Sequence, residues 1–331
     1  MHPVQTSLDA RRPRLLHGCA LAWLLWALAG CSDPIGVTEA SIPAVPAPAF
    51  GVLGQLQELE LESLPAPIPT YFSPGSRDRA EQLQAWLRGA DAFFQDRLKI
   101  APPFSLAVLN EEHWAVVSPG PYGVPFVTDA YNLVVLPALP EKAVVTQIYA
   151  AAQAALPASA AADLAQLGIT YDDAVLLVLD LIGFHEVGHV YNAALGYRND
   201  NTARWLEELL ATYTAYSYLD VAQPSSITVW NALSEAILGF VQPVSRSLED
   251  FNTHGLRLLG PDGYGWFQSH FNLRDDVIVR QRPRGTWFKQ LAGLGLDQDT
   301  RAVPTSELLR RLRGFNPSFT EWAENAGLEY P

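Results

Sequence analysis

Residues 185–189 read His-Glu-Val-Gly-His. On a helix, His185 and His189 are four residues apart and project from one face. Two imidazoles so spaced can reach one metal ion, and Glu186 stands beside any water on that ion. Such a set is suited to hydrolysis, in which the ion polarises a carbonyl and the carboxylate moves protons. A catalytic zinc takes three protein ligands and keeps a fourth position open, so a third ligand is required. A third histidine further along the same segment does not supply it, because Asn192 and Leu195 hold the relevant positions. The other source is a carboxylate on a following helix. Glu207 and Glu208 lie in the segment Trp205 to Ala211, with eighteen residues between His189 and Glu208. Taken alone, that pair could equally be a solvated helix face.

These side chains need rigid supports. Thr170 and Asp172 form an N-cap region for a helix over 171–194, Ala174 to Phe184 is nearly unbroken apolar, and Gly196 follows as a stop. Further helices are predicted over 141–155, 202–219, 227–240, 263–281 and 305–313. Arg77 to Leu98 has helical periodicity, with Leu83, Trp86, Leu87, Ala90 and Phe94 on one face. Two strand-like runs, Phe104 to Leu109 and Tyr131 to Leu136, come before most of the helices. A small sheet followed by many helices predicts an α+β architecture. Asp180 interrupts the apolar run and cannot share the stripe that carries His185. It is either a buried partner or a sign of a wetter face.

With His-Glu-x-x-His and Trp-Leu-x-Glu-x-x-Ala at this spacing, the chain resembles the gluzincin zinc metallopeptidases of the aminopeptidase N type. The resemblance implies a zincin-like catalytic domain, a small sheet followed by a mostly helical half, with zinc as cofactor. It implies His185, His189 and Glu208 as ligands, with Glu207 as the fallback, and Glu186 as general base toward a zinc-activated water. It also implies a Tyr or His donor to the oxyanion. Tyr264 is the first choice, because Gly263-Tyr264-Gly265 opens a predicted helix at a comparable distance past the ligand Glu. His270, His254 and Tyr213 are the other candidates, and each also suits a structural role. His113 reads as a surface or loop residue. Tyr213, Tyr216 and Tyr218 are spaced like core positions of one helix. Zincins carry a strand along the cleft, and Asn132 to Leu136 is the candidate. Tyr122, Phe126 and Tyr131 near it would form a pocket wall or ordinary core.

The resemblance has limits. The Gly-x-Met-Glu-Asn segment of exopeptidases is absent, and Gly123 to Asn132 contains no Glu. The thermolysin pattern has Asp four residues after the ligand Glu, where this chain has Thr212. The expectation is therefore a compact, divergent gluzincin with no commitment to exopeptidase action.

The first thirty residues read as a secretory signal. Arg11, Arg12 and Arg14 precede an apolar stretch from Leu15 to Gly30. Leu28-Ala29-Gly30-Cys31 resembles a bacterial lipobox, which implies lipidation of Cys31 and anchoring at a membrane of the cell envelope. Ser32 leans toward the outer membrane. Residues 31–75, rich in proline, read as a tether, and the folded domain, 76–331, begins near Ser76. The chain has two cysteines; Cys19 leaves with the signal and Cys31 carries lipid, so thiol chemistry and cysteine metal sites are excluded. A net charge of −13, or −15 without the signal, argues against nucleic acid as a partner. No internal apolar run reaches the roughly 18 residues of a spanning helix. The partner expected is a peptide or protein substrate, with a non-peptide amide such as a cell-wall cross-link also open. The alternative from another class is a catalytically silent envelope lipoprotein that binds or scaffolds a partner.

Overall fold

The computed structural model describes residues 52–118, 120–128, 130–281, 290–291, 293–296 and 298–330. The signal, Cys31 and the first part of the tether lie outside these residues. A helix α1 (Val52–Gln57) precedes a five-stranded mixed sheet of β1 (Glu62–Leu64), β2 (Thr70–Phe72), β3 (Ser105–Leu109), β4 (Phe126–Val127) and β5 (Leu133–Pro137). The strand order is β1-β2-β3-β5-β4. The central three strands run parallel, and β1 and β4 pair antiparallel at the two edges. Further α-helices are α2 (Arg77–Leu98), α3 (Glu111–Val117), α4 (Val144–Ala151), α5 (Ala158–Leu167), α6 (Tyr171–Ala194), α7 (Arg204–Ala222), α8 (Pro224–Phe240), α9 (Leu248–His254) and α10 (Leu256–Gln281). Two short ones follow, Thr305–Phe315 and Phe319–Asn325. The architecture is α+β.

The apolar runs of β3 and β5 follow from burial on both faces of the sheet. Leu106, Val108, Val134 and Leu136 face the main core, while Ala107, Leu109, Leu133 and Val135 face a second cluster around Trp114. The assignment of residues 31–75 to a tether is corrected from residue 52 onward, where α1 places Leu56 in the second cluster. Residues 62–72 supply β1 and β2, and β2 pairs in parallel with β3. Pro65, Pro67 and Pro69 occupy the connection between β1 and β2, where a missing N–H costs nothing. Strands of three residues are too short to show an alternating pattern, so the prolines are the stronger local signal in this segment.

α6 has the bounds that its sequence predicts. Its N-cap Thr170 accepts a hydrogen bond from the Asp173 backbone N–H at 3.2 Å. It is long and apolar enough to cross a membrane, yet most of its residues are buried inside the protein. Asp180 is buried and ion-paired to Arg79, which ties α6 to α2. Such a pair leaves no charge uncompensated in the core.

α6 and α7 approach closely at the site. A Cβ on Gly188 would stand 2.6 Å from the Ala211 carbonyl oxygen and 3.0 Å from its Cα. Only glycine fits there. α10 bends at Gly260 (φ 67, ψ 171), and Pro261 begins the straight part that carries Tyr264. Proline suits that first turn, where its missing N–H would have no helical partner.

Candidate metal centre

α6 delivers His185, Glu186 and His189, and α7 delivers Glu207 and Glu208. His185 Nε2 lies 3.1 Å from Glu208 Oε2 and 3.1 Å from His189 Nε2. His189 Nε2 lies 3.5 Å from Glu208 Oε2. The point equidistant from these three atoms is about 1.9 Å from each, close to the bond length of about 2.0–2.2 Å that imidazole and carboxylate make to a divalent ion. The three residues are buried and could hold a metal ion. Of the two adjacent glutamates, Glu208 enters this triangle.

The outer atoms of these side chains are also engaged. His185 Nδ1 lies 3.1 Å from Thr212 Oγ1, the residue that stands where the thermolysin pattern has Asp. His189 Nδ1 lies 3.4 Å from Glu207 Oε1. A hydrogen bond at the His185 Nδ1 and a carboxylate contact at the His189 Nδ1 go with both Nε2 atoms facing inward, the arrangement that a metal ligand needs. Gln268 Nε2 donates to Glu208 Oε2 at 2.6 Å. Burial opposes charge on Glu208, but the two imidazoles outweigh it and hold the carboxyl well below its ordinary range. Burial likewise opposes charge on His189, but the Glu208 and Glu207 carboxylates outweigh it and hold the imidazole well above its ordinary value.

Glu186 is buried beside the triangle and takes no corner of it. Burial raises its pKa; the two imidazoles and the Val127 backbone N–H counteract that only in part. Val127 belongs to β4, and here the structure corrects the sequence reading. The strand 132–136 is β5, inside the sheet, and the cleft edge is β4. A two-residue strand carries too little pattern to be seen in sequence. Thr128 N–H bonds back to Leu133 in β5, so the neighbouring Val127 groups point off the edge toward the site.

The site opens into a cavity of about 290 Å³. Its polar wall holds the two histidines, Glu186, Glu207, Glu208, Tyr264 and Gln268, with Arg204 and Asn199 also in the lining. Its apolar wall holds Val145, Ile148, Ile182, Trp230 and Ile237. Phe126 and Tyr131 line the cavity, whereas Tyr122 does not. The Tyr122 hydroxyl instead donates to the Leu109 carbonyl at 3.1 Å and accepts from the Leu139 N–H at 2.8 Å.

Tyr264 reaches the cavity with its ring stacked on Phe251 at 4.9 Å. Burial first, and then the charge of Glu208, push its phenol well above the ordinary value. The other donor candidates are not brought to the site. Tyr213 is buried in the α7 core, and His254 ends α9 outside the cavity lining. Tyr216 and Tyr218 are core residues as well. His113 sits against Ser73 Oγ at 2.8 Å, also away from the cavity. His270 packs edge-on against Trp266 at 4.3 Å.

Sequence reasoning missed Gln268, the Tyr131 link to Glu207 and the role of Thr212. Gln268 stands one helical turn after Tyr264, which is the signal that could have found it. The Tyr131 link joins positions 76 apart and leaves no local trace.

His270 yields a stability prediction. Burial, with help from Arg246, pulls its pKa down to about 4. The folded state therefore binds this proton more weakly than the unfolded state, whose imidazole titrates near 6.5. The contribution is complete above pH 6.5 and is lost as pH falls from there through about 4. It amounts to about 2–3 kcal/mol. Urea unfolding at pH 7 and pH 4.5 should show a smaller acid loss in His270→Gln than in the parent. Equal losses would mean that the ring is not desolvated.

Compared with known protein families, curated proteins and solved structures, the chain matches none of them, so the reading of this site rests on its own geometry.

Proposed function

We propose that the protein is a zinc-dependent metallopeptidase of the gluzincin type, held at the bacterial cell envelope, on the outer-membrane side, through a lipid on Cys31. One observation carries the enzymatic part. Two imidazole nitrogens and a carboxylate oxygen form a triangle with edges of 3.1, 3.1 and 3.5 Å, and a buried carboxylate outside it, Glu186, stands beside it. A tetrahedral zinc with bonds of about 2.0–2.1 Å requires ligand–ligand edges of about 3.3 Å. The donor set, two histidines and one glutamate, also suits zinc. Zinc bound there would polarise the scissile carbonyl and acidify a nearby water.

The chain's own groups supply the rest. The Glu186 carboxylate accepts the proton of the attacking water and returns it to the leaving amine. Burial raises its pKa, which strengthens it as a base. The outward carbonyl of Val127 on β4 accepts from the main chain of an extended peptide, while its N–H stays on Glu186. The Tyr264 hydroxyl, kept protonated, donates to the oxygen that gains charge during attack. The apolar wall around Trp230 takes a large apolar side chain next to the scissile bond, while three carboxylates in the lining disfavour an acidic one. In a peptide panel, substrates with Phe or Leu at that position should turn over at least about 10-fold faster than those with Asp.

The decisive test is zinc content per chain in protein starting at residue 32, measured beside His185→Ala and Glu208→Ala. About one zinc in the parent and strong loss in both variants is the expected result. A folded parent that takes up no zinc overturns the proposal. A parent that loads zinc but hydrolyses neither peptides nor muropeptides points to the binding or scaffold lipoprotein instead.

A further inference from the structure

We propose that Tyr131 and Glu207 form a positioning pair that holds the ligand His189 and ties the metal centre to the turn before β5. Metal binding and the shape of the cleft edge would then depend on each other. The inference rests on the metal reading of the site and adds to it a coupling between the ligand triangle and the β4–β5 turn.

The first observation is backbone strain. Tyr131 has φ 52, and the only other described non-glycine residue with positive φ, Lys99, is a helix C-cap. An aromatic residue in the left-handed region is strained and persists only where its surroundings over-determine it. Here they do. The Tyr131 hydroxyl donates to Glu207 Oε1 at 2.7 Å and accepts from the Asn199 backbone N–H at 2.7 Å. The Arg198 guanidinium lies over its ring, 5.4 Å from the centroid.

The second observation is where Glu207 points. It is 4% exposed, is not a corner of the ligand triangle, and directs Oε1 at both Tyr131 and His189 Nδ1. The contact with Nδ1 is 3.4 Å, and Nδ1 has no hydrogen bond among the described residues. Among the described residues Glu207 is thus the group placed to take the Nδ1 proton, which leaves the Nε2 lone pair facing His185 and Glu208. Tyr131 fixes the carboxylate that fixes the imidazole. By linkage, whatever free energy the turn contributes to His189, a bound metal returns to the turn.

The test measures zinc affinity by competition with a chromophoric chelator, and amide exchange of residues 126–133 with and without zinc. Glu207→Ala should weaken zinc about 10–100-fold, and Tyr131→Phe, which removes only the hydroxyl, about 3–10-fold. Glu207→Gln keeps an acceptor oxygen and should recover part of the loss. In the Glu207→Ala background, Tyr131→Phe should add nothing, because both act along one path. Zinc should slow exchange of 126–133 in the parent and do so less in Glu207→Ala. Should Glu207→Ala fail to fold, Glu207→Met, which keeps the volume and removes the acceptor, takes its place and decides by the same non-additivity. Parent affinity in Tyr131→Phe and Glu207→Gln, additive losses, or exchange indifferent to zinc would each overturn the pair. A parent that binds no zinc would instead sink the metal reading on which it stands.

Discussion

Glu186→Gln should lower peptide turnover by about 10²–10⁴-fold while zinc stays bound. The substitution keeps the volume of the side chain and removes its capacity to take a proton. Glu186 takes no corner of the ligand triangle, so the ligands should be undisturbed. Its carboxylate is buried, and Val127 on the cleft edge offers it an N–H. The Gln amide presents an oxygen to that same N–H, so the local packing should survive. Zinc content and single-turnover hydrolysis, measured on the same preparation, test this. Loss of zinc would make Glu186 part of the ligand set, and unchanged turnover would remove it from the proton pathway.

Gly188→Ala should destabilise the protein by about 1–3 kcal/mol and weaken zinc binding at least 10-fold. A methyl group at this position meets backbone: the Ala211 oxygen at 2.6 Å, its Cα at 3.0 Å and its carbonyl carbon at 3.2 Å. Backbone cannot rotate away as a side-chain tip can, so α6 and α7 must separate. Alanine gains about 1 kcal/mol of helix propensity over glycine, and the clash outweighs it. Separation also pulls Glu208 away from the two imidazoles, because Glu208 and Ala211 share a face of α7. The Gly of the first motif and the Ala of the second are therefore the two halves of one helix contact. Urea unfolding of the metal-free protein and a zinc competition assay check both effects. A variant as stable as the parent, with the same zinc affinity, would show that the helices can shift without cost.

The sequence by itself determined the parts whose information is local. The bounds of α2 and α6 follow from apolar spacing, and for α6 also from its cap and stop residues. The spacing of His185 and His189 on one helix face needs no tertiary contact, and the α+β class follows from the order of the strand-like and helical runs. Tertiary structure decided whatever depends on which distant segments meet. β4 and not β5 forms the cleft edge, because strand order is set by pairing across the sheet. The proline-rich 62–72 segment joins that sheet because β3 offers it a partner. Glu208 and not Glu207 closes the triangle with the two Nε2 atoms, because the approach of Gly188 to Ala211 fixes how α7 is rotated against α6. Asp180 finds Arg79 across 101 positions, and Tyr131 finds Glu207 across 76. Periodicity and caps act over a few residues, so a sequence displays them directly. A contact between side chains far apart in the chain exists only once the intervening elements have packed.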